Sequence, residues 1–281
     1  MKINILCIGD VVGRPGRHIL SQRLSEVVKE HNVDCVIVNA ENAAGGSGLT
    51  TQIYDKLLKY GAHVITLGDH AYRRKEIIPL LESADNIVRP ANLSPAAAGN
   101  DFGVYQTHKG ATVGVVVLIG RMFMKPADCP YAKIDNMLGR LQREADIIVV
   151  DMHAEATSEK VAMDYLDGKV SCIFGSHTHI TTADEKILPK GTAYITDVGM
   201  TGSHDSVLGR KVENVIKAFR TQMPCMLEIA VGDVRMSAVL VTIDSTTKCA
   251  ESIKRVQIAE ARAEHISYDS DDGRREYYNG F

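Results

Sequence analysis

Apolar residues in this chain gather into short runs, separated by turn-rich stretches or by stretches of helical periodicity. The first run, Ile3 to Gly9, is apolar nearly throughout, as expected of a strand buried on both faces of a parallel sheet. Asp10 to Gly16 reads as a loop, and Leu20, Leu24, Val27 and Val28 then recur at helical spacing between Arg17 and His31. Val33 to Ala40 predicts a second strand. Thr50 to Tyr60 predicts a helix with Ile53, Leu57 and Leu58 inward, the run from Val64 a third strand, and Lys75 to Glu82 a short helix. Asn86 to Asn92 predicts a further short strand and a turn.

From Gly103 the texture changes. Gly103 to Thr107 and Ala111 to Ile119, joined at Lys109-Gly110, predict an antiparallel hairpin, and Ile134 to Glu144 a helix. Strands are expected to end at His153 and Gly175, with a helix to about Asp167 between them. A hairpin is expected within Thr182 to Val198 and a short helix from Glu213 to Arg220. Cys225 to Ile258 alternates as strands paired around Gly232-Asp233 and around Ser245-Thr246-Thr247. The layout is a β-α-β start with antiparallel hairpins later and helices packed outside. No linker or internal repeat divides it, so residues 1–263 read as a single domain. Residues 264–281 are polar, lack periodicity and read as a flexible tail.

Where the runs end is more telling than where they begin. Five finish on residues of metal-ligand type: Ile8-Gly9-Asp10, Ala40-Glu41-Asn42, Gly68-Asp69-His70, Asp151-Met152-His153 and Gly175-Ser176-His177-Thr178-His179. Ligands of open α/β sheets bind beyond the carboxyl ends of the strands. A His-x-His step there can give one imidazole to each of two metals, or both to one. Taken singly, Asp10, Glu41 and Asp69 could be helix caps or surface charges, and His70 or His153 structural. Taken together they imply a metal centre.

Composition narrows the chemistry. Hydrophobic residues at 45% suffice for a large core, and a net charge of −3 gives no sign of a duplex-binding surface. Trp is absent and Phe scarce, so stacking platforms for single strands are not evident. None of the six cysteines forms a C-x-x-C pair, and Cys7, Cys35 and Cys172 lie inside apolar runs, where thiols act as small hydrophobes. With no signal-peptide architecture and no apolar run of about 20 residues, a reducing cytoplasm and no membrane association are expected. Gly9-x-x-x-Gly13-x-x-Gly16 lacks the spacing of a dinucleotide fingerprint. Gly45-Gly46-Ser47-Gly48 could let backbone approach a ligand or could simply be mobile.

The candidate ligands are carboxylates, a carboxamide and imidazoles without thiolates, a mixed set that suits iron, manganese or zinc in a hydrolytic centre. They are too many for one tetrahedral ion and enough for two about 3.5–4 Å apart. Longer motifs accompany them in order: Gly9-Asp10-Val11-Val12-Gly13, Asn39-Ala40-Glu41-Asn42-Ala43-Ala44, Val88-Arg89-Pro90-Ala91-Asn92, His153 to Lys160, His177-Thr178-His179 and Leu188 to Gly202. In these motifs the chain resembles the bacterial 2′,3′-cyclic-nucleotide 2′-phosphodiesterases, a branch of the calcineurin-like metallophosphoesterases, to about residue 260.

The resemblance implies a four-layer α/β/β/α sandwich and a dinuclear site holding iron or manganese, with magnesium or zinc as alternatives. It implies hydrolysis of a cyclic nucleotide, 2′,3′-cyclic or 3′,5′-cyclic, by a metal-bound hydroxide, in a homo-oligomer. By position, Asp10, Glu41 and His179 would hold the first metal, with Glu41 bridging, and Asn42, Asp69, His153 and His177 the second. His70 would protonate the leaving oxygen. Asp69 departs from the Asn usual in the family and adds a negative charge. A phosphomonoesterase or protein phosphatase with the same centre, or a metal-dependent nucleotide-sensing regulator, are the competing functions. Glu155 and Glu159 are expected to stabilise a helix's first turn, Arg89 and Arg121 to meet phosphate or pair structurally, and His204 to lie near the pocket.

Overall fold

The computed structural model describes residues 1–260 and the backbone of Tyr277–Tyr278. In chain order the elements are β1 (Lys2–Ile8), β2 (Asp10–Val11), α1 (Gly13–Glu30), β3 (Cys35–Asn39), α2 (Thr51–Tyr60), β4 (Val64–Thr66), α3 (Ile78–Ser83) and β5 (Ile87–Val88). There follow β6 (Gly103–Gln106), β7 (Thr112–Ile119), α4 (Pro130–Glu144), β8 (Ile147–His153), α5 (Thr157–Val161), β9 (Cys172–Ser176), β10 (Lys186–Ile187), β11 (Ala193–Ile195) and β12 (Met200–Ser203). The last are α6 (Val212–Thr221), β13 (Cys225–Met226), β14 (Val234–Asp244), β15 (Ala250–Ala259) and β16 (Tyr277–Tyr278).

Two large sheets carry the fold. In the first, β15, β14, β1, β3, β4 and β5 lie side by side, and β12 follows β14 beyond β1 with β2 at its edge. In the second the order is β10-β11-β9-β8-β7-β6. Side-chain alternation along each strand builds two cores at once. On β1, Ile3, Ile5 and Cys7 enter the core between the sheets, whereas Leu6 and Ile8 join α1 and α2 on the outer face. On β7, Val113, Val115 and Val117 point between the sheets, and Val116 and Leu118 pack with α4 residues Ile134 and Leu141. Burial on both faces is why these runs are continuous rather than alternating. Helix, sheet, sheet and helix make the four expected layers. No helix among the described residues is long and apolar enough to cross a membrane.

Three expectations need correction. α1 starts at Gly13, four residues before Arg17, because Pro15 sits in the first turn, where no backbone donor is required. Gly16 is needed there: a Cβ would strike the Thr201 carbonyl. The two expected hairpins form, β6 with β7 and β10 with β11, but they are only the antiparallel edges of the second sheet, in which β7, β8, β9 and β11 run parallel. Crossovers through α4 and α5 permit this. Finally, β13 does not pair with β14 across Gly232-Asp233. Both edges of β14 are taken, by β12 and β1 on one side and β15 on the other, and β13 pairs with β16. Apart from that β16 backbone, the tail expected over 264–281 lies outside the described residues.

The second helix illustrates local control. The Thr50 hydroxyl accepts from the Ile53 N–H at 3.2 Å, and Gly61 closes the helix in a left-handed conformation at φ 114°. Thr50→Ala is expected to lower unfolding free energy by about 1 kcal/mol and Thr50→Ser to leave it near wild type. Urea unfolding of the three proteins measures this.

Candidate metal centre

The exits of β1, β3 and β4 from one sheet meet those of β8 and β9 from the other, and they carry the candidate ligands to one place. Asp10, Glu41 and His153 are completely buried, and Asn42 nearly so. Glu41, Asp69, His153 and His177 each offer a ligand atom, and these atoms all lie within 4.8 Å of one another. Within this group His153 Nε2 is 3.3 Å from Glu41 Oε1, 3.4 Å from Asp69 Oδ1 and 3.1 Å from His177 Nδ1. A second group adjoins it: His179 Nε2 lies 3.9 Å from Asp10 Oδ1 and 3.1 Å from Asn42 Nδ2. Glu41 touches both groups, since its Oε1 also accepts from Asn42 Nδ2 at 3.0 Å. Asn42, expected with Asp69, His153 and His177, has its Nδ2 beside His179 and its Oδ1 beside His70. His70 packs against the junction, with Nδ1 2.9 Å from Asn42 Oδ1 and its backbone N–H donating to Glu41 Oε2 at 3.0 Å.

The electrostatics call for cations. Oδ1 of Asp10 is buried and finds no hydrogen-bond partner among the described residues. Burial, with Glu41 and Asp197 nearby, pushes the Asp10 pKa up to about 8 despite His153 close by. A buried carboxylate in that condition is stabilised by a bound cation or by protonation. Burial and the neighbouring His153 lower the His177 pKa to about 4, and burial lowers that of His179. Both are therefore neutral imidazoles, the form that ligates metals. Burial works against charging His70, but the Glu41 carboxylate outweighs it and raises the His70 pKa. The residues fit bound metal by the orphaned oxygen, by the neutral state of His177 and His179 and by donor type, whereas Glu41 draws His153 toward protonation, so metal binding there would release a proton.

Some contributors were not recognised in the sequence. Asn39, Thr66, Asp151 and Ser176 occupy the between-sheet phase of β3, β4, β8 and β9, and form a buried polar floor beneath the ligands. Ser176 Oγ lies 2.8 Å from His153 Nδ1 and donates to Asp151 Oδ1 at 2.6 Å, while Thr66 and Asn39 donate to Asp151 Oδ2 at 2.7 and 3.2 Å. This fixes the ring so that Nε2 faces the cluster, a support that ligating histidines generally require. Similarly, His179 Nδ1 lies 3.1 Å from the Leu208 carbonyl oxygen, leaving Nε2 for the site. Gly68 is the second omission: a Cβ there would fall on His153 Nε2 and Glu41 Oε2. Four polar residues in the alternating phase of otherwise apolar strands were the available signal.

Other candidates resolve differently. Glu155 does not serve a helix turn; its Oε2 is 3.2 Å from His177 Nε2. Glu159 does lie in the first turn of α5, as expected, and it also accepts from the backbone N–H groups of Arg121 and Met122 and so anchors the loop after β7. Arg89 spends its guanidinium on the carbonyls of Pro90, Ala91 and Ala97. Arg121 is exposed and, with Met122, Tyr131, Ser158 and Glu159, lines an open cavity of about 440 Å³. His204 Nε2 lies 3.3 Å from the Met200 carbonyl oxygen.

A four-layer sandwich with mixed carboxylate and imidazole groups at the strand exits is the design of a metallophosphoesterase-type hydrolase. Residues 6–256 match the family described as YmdB-like protein, and the chain belongs to that family. It is 43% identical over 257 residues to the 2′,3′-cyclic-nucleotide 2′-phosphodiesterase of Bacillus subtilis (strain 168), covering 91% of this chain and 97% of that one. Two solved structures are similar. A hypothetical protein from Thermus thermophilus has a TM-score of 0.86 at 38% identity, over 92% of this chain and 100% of that one. A protein titled a novel phosphatase, from Mycoplasma pneumoniae, has a TM-score of 0.88 at 33% identity, over 96% and 98%. The chain is an enzyme of the hydrolase class.

Two outcomes are expected. Gly68→Ala should displace His153 and Glu41 and abolish binding of at least one metal, while far-ultraviolet circular dichroism stays unchanged; elemental analysis reports the first and the spectrum the second. In metal-stripped protein the raised Asp10 pKa means that the folded state holds a proton that the unfolded state releases near pH 4. Stability linked to Asp10 is therefore present at acid pH and is lost as pH rises toward about 8. The stability difference between wild type and Asp10→Asn should shift against wild type across that window, as followed by urea unfolding at several pH values.

Proposed function

We propose that this chain hydrolyses 2′,3′-cyclic nucleotides at a two-metal centre, breaking the bond from phosphorus to O2′. The observation that carries the reading is Glu41, one buried carboxylate in contact with both ligand groups. The Bacillus relative's activity, at 43% identity over most of both chains, supports the substrate class. Asp10, Glu41, Asn42 and His179 would hold one ion, and Glu41, Asp69, His153 and His177 the other. Iron or manganese suits this donor set, with magnesium or zinc as alternatives. When bound, the metals supply an activated water and neutralise charge developing on the phosphoryl oxygens.

The chain's own residues do the rest. His70 is partly exposed, and Asn42 Oδ1 and the Glu41 carboxylate hold it by Nδ1. Its raised pKa favours the imidazolium, and Nε2, not engaged by Asn42 and 3.8 Å from Asp69 Oδ2, would give its proton to the departing O2′. Glu155 orients His177 from the outer side. Asp69 adds a third carboxylate to Asp10 and Glu41, so the ions are bound firmly but their pull on water is blunted. We assign the metallophosphoesterase unit to residues 1–263 and place the enzyme in a reducing cytoplasm, in keeping with six free cysteines. We also infer a homo-oligomer: Val212 and Ile216 are exposed one helical turn apart on α6.

Turnover of 2′,3′-cyclic, 3′,5′-cyclic and monoester nucleotides by the manganese- and iron-loaded protein tests the reading. A 3′-nucleotide product from the 2′,3′-cyclic substrate is expected; preference for monoesters would make the protein a phosphatase, and tight binding without turnover a sensor. His70→Ala should reduce turnover by about 10²–10⁴ with metal content intact. A nitrophenyl diester, whose leaving group needs little protonation, should be affected far less; equal loss on both substrates would remove His70 from the acid role. Asp69→Asn should bind its metal more weakly and move the acid limb of the pH–rate profile downward, as metal titration and pH–rate curves measure.

A further inference from the structure

His177 and His179 both adopt left-handed backbone, at φ 90° and 64°. Side-chain-bearing residues enter that region at a cost and stay there when their surroundings over-determine them. The His177 N–H donates to Asp10 Oδ2 and the His179 carbonyl accepts from the Met200 N–H, each at 3.1 Å, and a further restraint acts on the residue between them. Oδ2 of Asp197 accepts from the Thr178 N–H at 3.2 Å and from the Thr178 hydroxyl at 2.7 Å. Its Oδ1 accepts from the Gly199 N–H at 2.7 Å. The carboxylate is 1% exposed and is matched by the ammonium of Lys160, equally buried, at 2.5 Å. Asp197 is itself fixed, because its N–H donates to the Thr182 hydroxyl and its carbonyl accepts from the Thr182 N–H, each at 3.0 Å. The Lys160 stem runs past Gly175, where a Cβ would meet Lys160 Cδ at 3.0 Å as well as the Thr196 carbonyl. That accounts for the glycine two residues before the first histidine.

We propose that Asp197, charge-balanced by Lys160, is a positioning residue that splits the His177-Thr178-His179 step and turns one imidazole toward each half of the centre. In extended backbone, residues two apart share a face, and both imidazoles would point the same way. Here they diverge: His177 Nδ1 faces His153 and Asp69, while His179 Nε2 faces Asp10 and Asn42. The clamp holds Thr178 by its backbone and its hydroxyl, between the two left-handed residues. Lys160 is required because Asp197 would otherwise be a further uncompensated anion close to Asp10. The inference rests on the two-metal reading above.

Thr178→Val removes the hydroxyl and keeps the shape, and Thr178→Ser keeps the hydroxyl. Asp197→Asn keeps the size and removes the charge. Each is titrated with Mn²⁺ by calorimetry after metal stripping, beside wild type, and the thermal midpoint of the stripped protein is recorded. Thr178→Val and Asp197→Asn are expected to weaken Mn²⁺ binding by roughly 10–100-fold, the usual effect of removing a group that orients metal ligands, with Thr178→Ser near wild type. Wild-type Mn²⁺ affinity in folded Thr178→Val and Asp197→Asn would overturn the proposal, and so would a fall in thermal midpoint with affinity unchanged. If wild type itself takes up fewer than two Mn²⁺, the two-metal reading fails and the proposal with it. That outcome is recognisable because it precedes any substitution.

Discussion

Asp10 and Glu41 place two carboxylates at zero exposure where the strands of both sheets end, and most of the site's construction answers that charge. Within the chain, His70 and His153 are drawn toward protonation by Glu41, while the oxygen Asp10 Oδ1 is left without a partner among the described residues. A buried anion is expensive unless paired, and imidazoles compensate it only while protonated. Cations at the junction would satisfy the orphaned oxygen and leave His153 neutral, the form that ligates, while His70, which is outside both ligand groups, keeps its proton. Binding metal and holding the two sheets' ends together are, on this view, a single constraint.

The polar floor shows how the fold serves that constraint. Period-two alternation places Asn39, Thr66, Asp151 and Ser176 between the sheets, at the end of a core that is otherwise Ile, Val, Cys and Phe. Asp151 is as buried as Asp10, Glu41 and His153, yet it accepts from Thr66, Asn39 and Ser176 and is fully engaged. Its raised pKa, set by burial, records the cost of its position. Through Ser176 it fixes the orientation of His153, so a rigid sheet rather than a loop determines where that imidazole points.

Much of the site's convergence was legible in the sequence because the candidate ligands stand where apolar runs stop, and runs can be read. The long motifs carried the family and with it the four layers. What could not be read depended on partners far along the chain. The polar floor sits at the ends of runs buried on both faces, where a polar residue shows its strand phase but not the partners it meets. The role of Gly68 appears only once His153 and Glu41 are known to converge on it. Placing Asn42 beside His179, and Glu159 under the loop after β7, required tertiary distances, as did seeing that β14 had no edge left for β13.

On the proposed function, Glu41 is shared by two metals. Anomalous diffraction from crystals soaked in Mn²⁺ tests it most directly. Two peaks are expected on either side of Glu41, one among Asp69, His153 and His177 and the other beside Asp10 and His179. A single peak among Asp69, His153 and His177, with Asp10 and His179 making no contact to metal, would contradict the account.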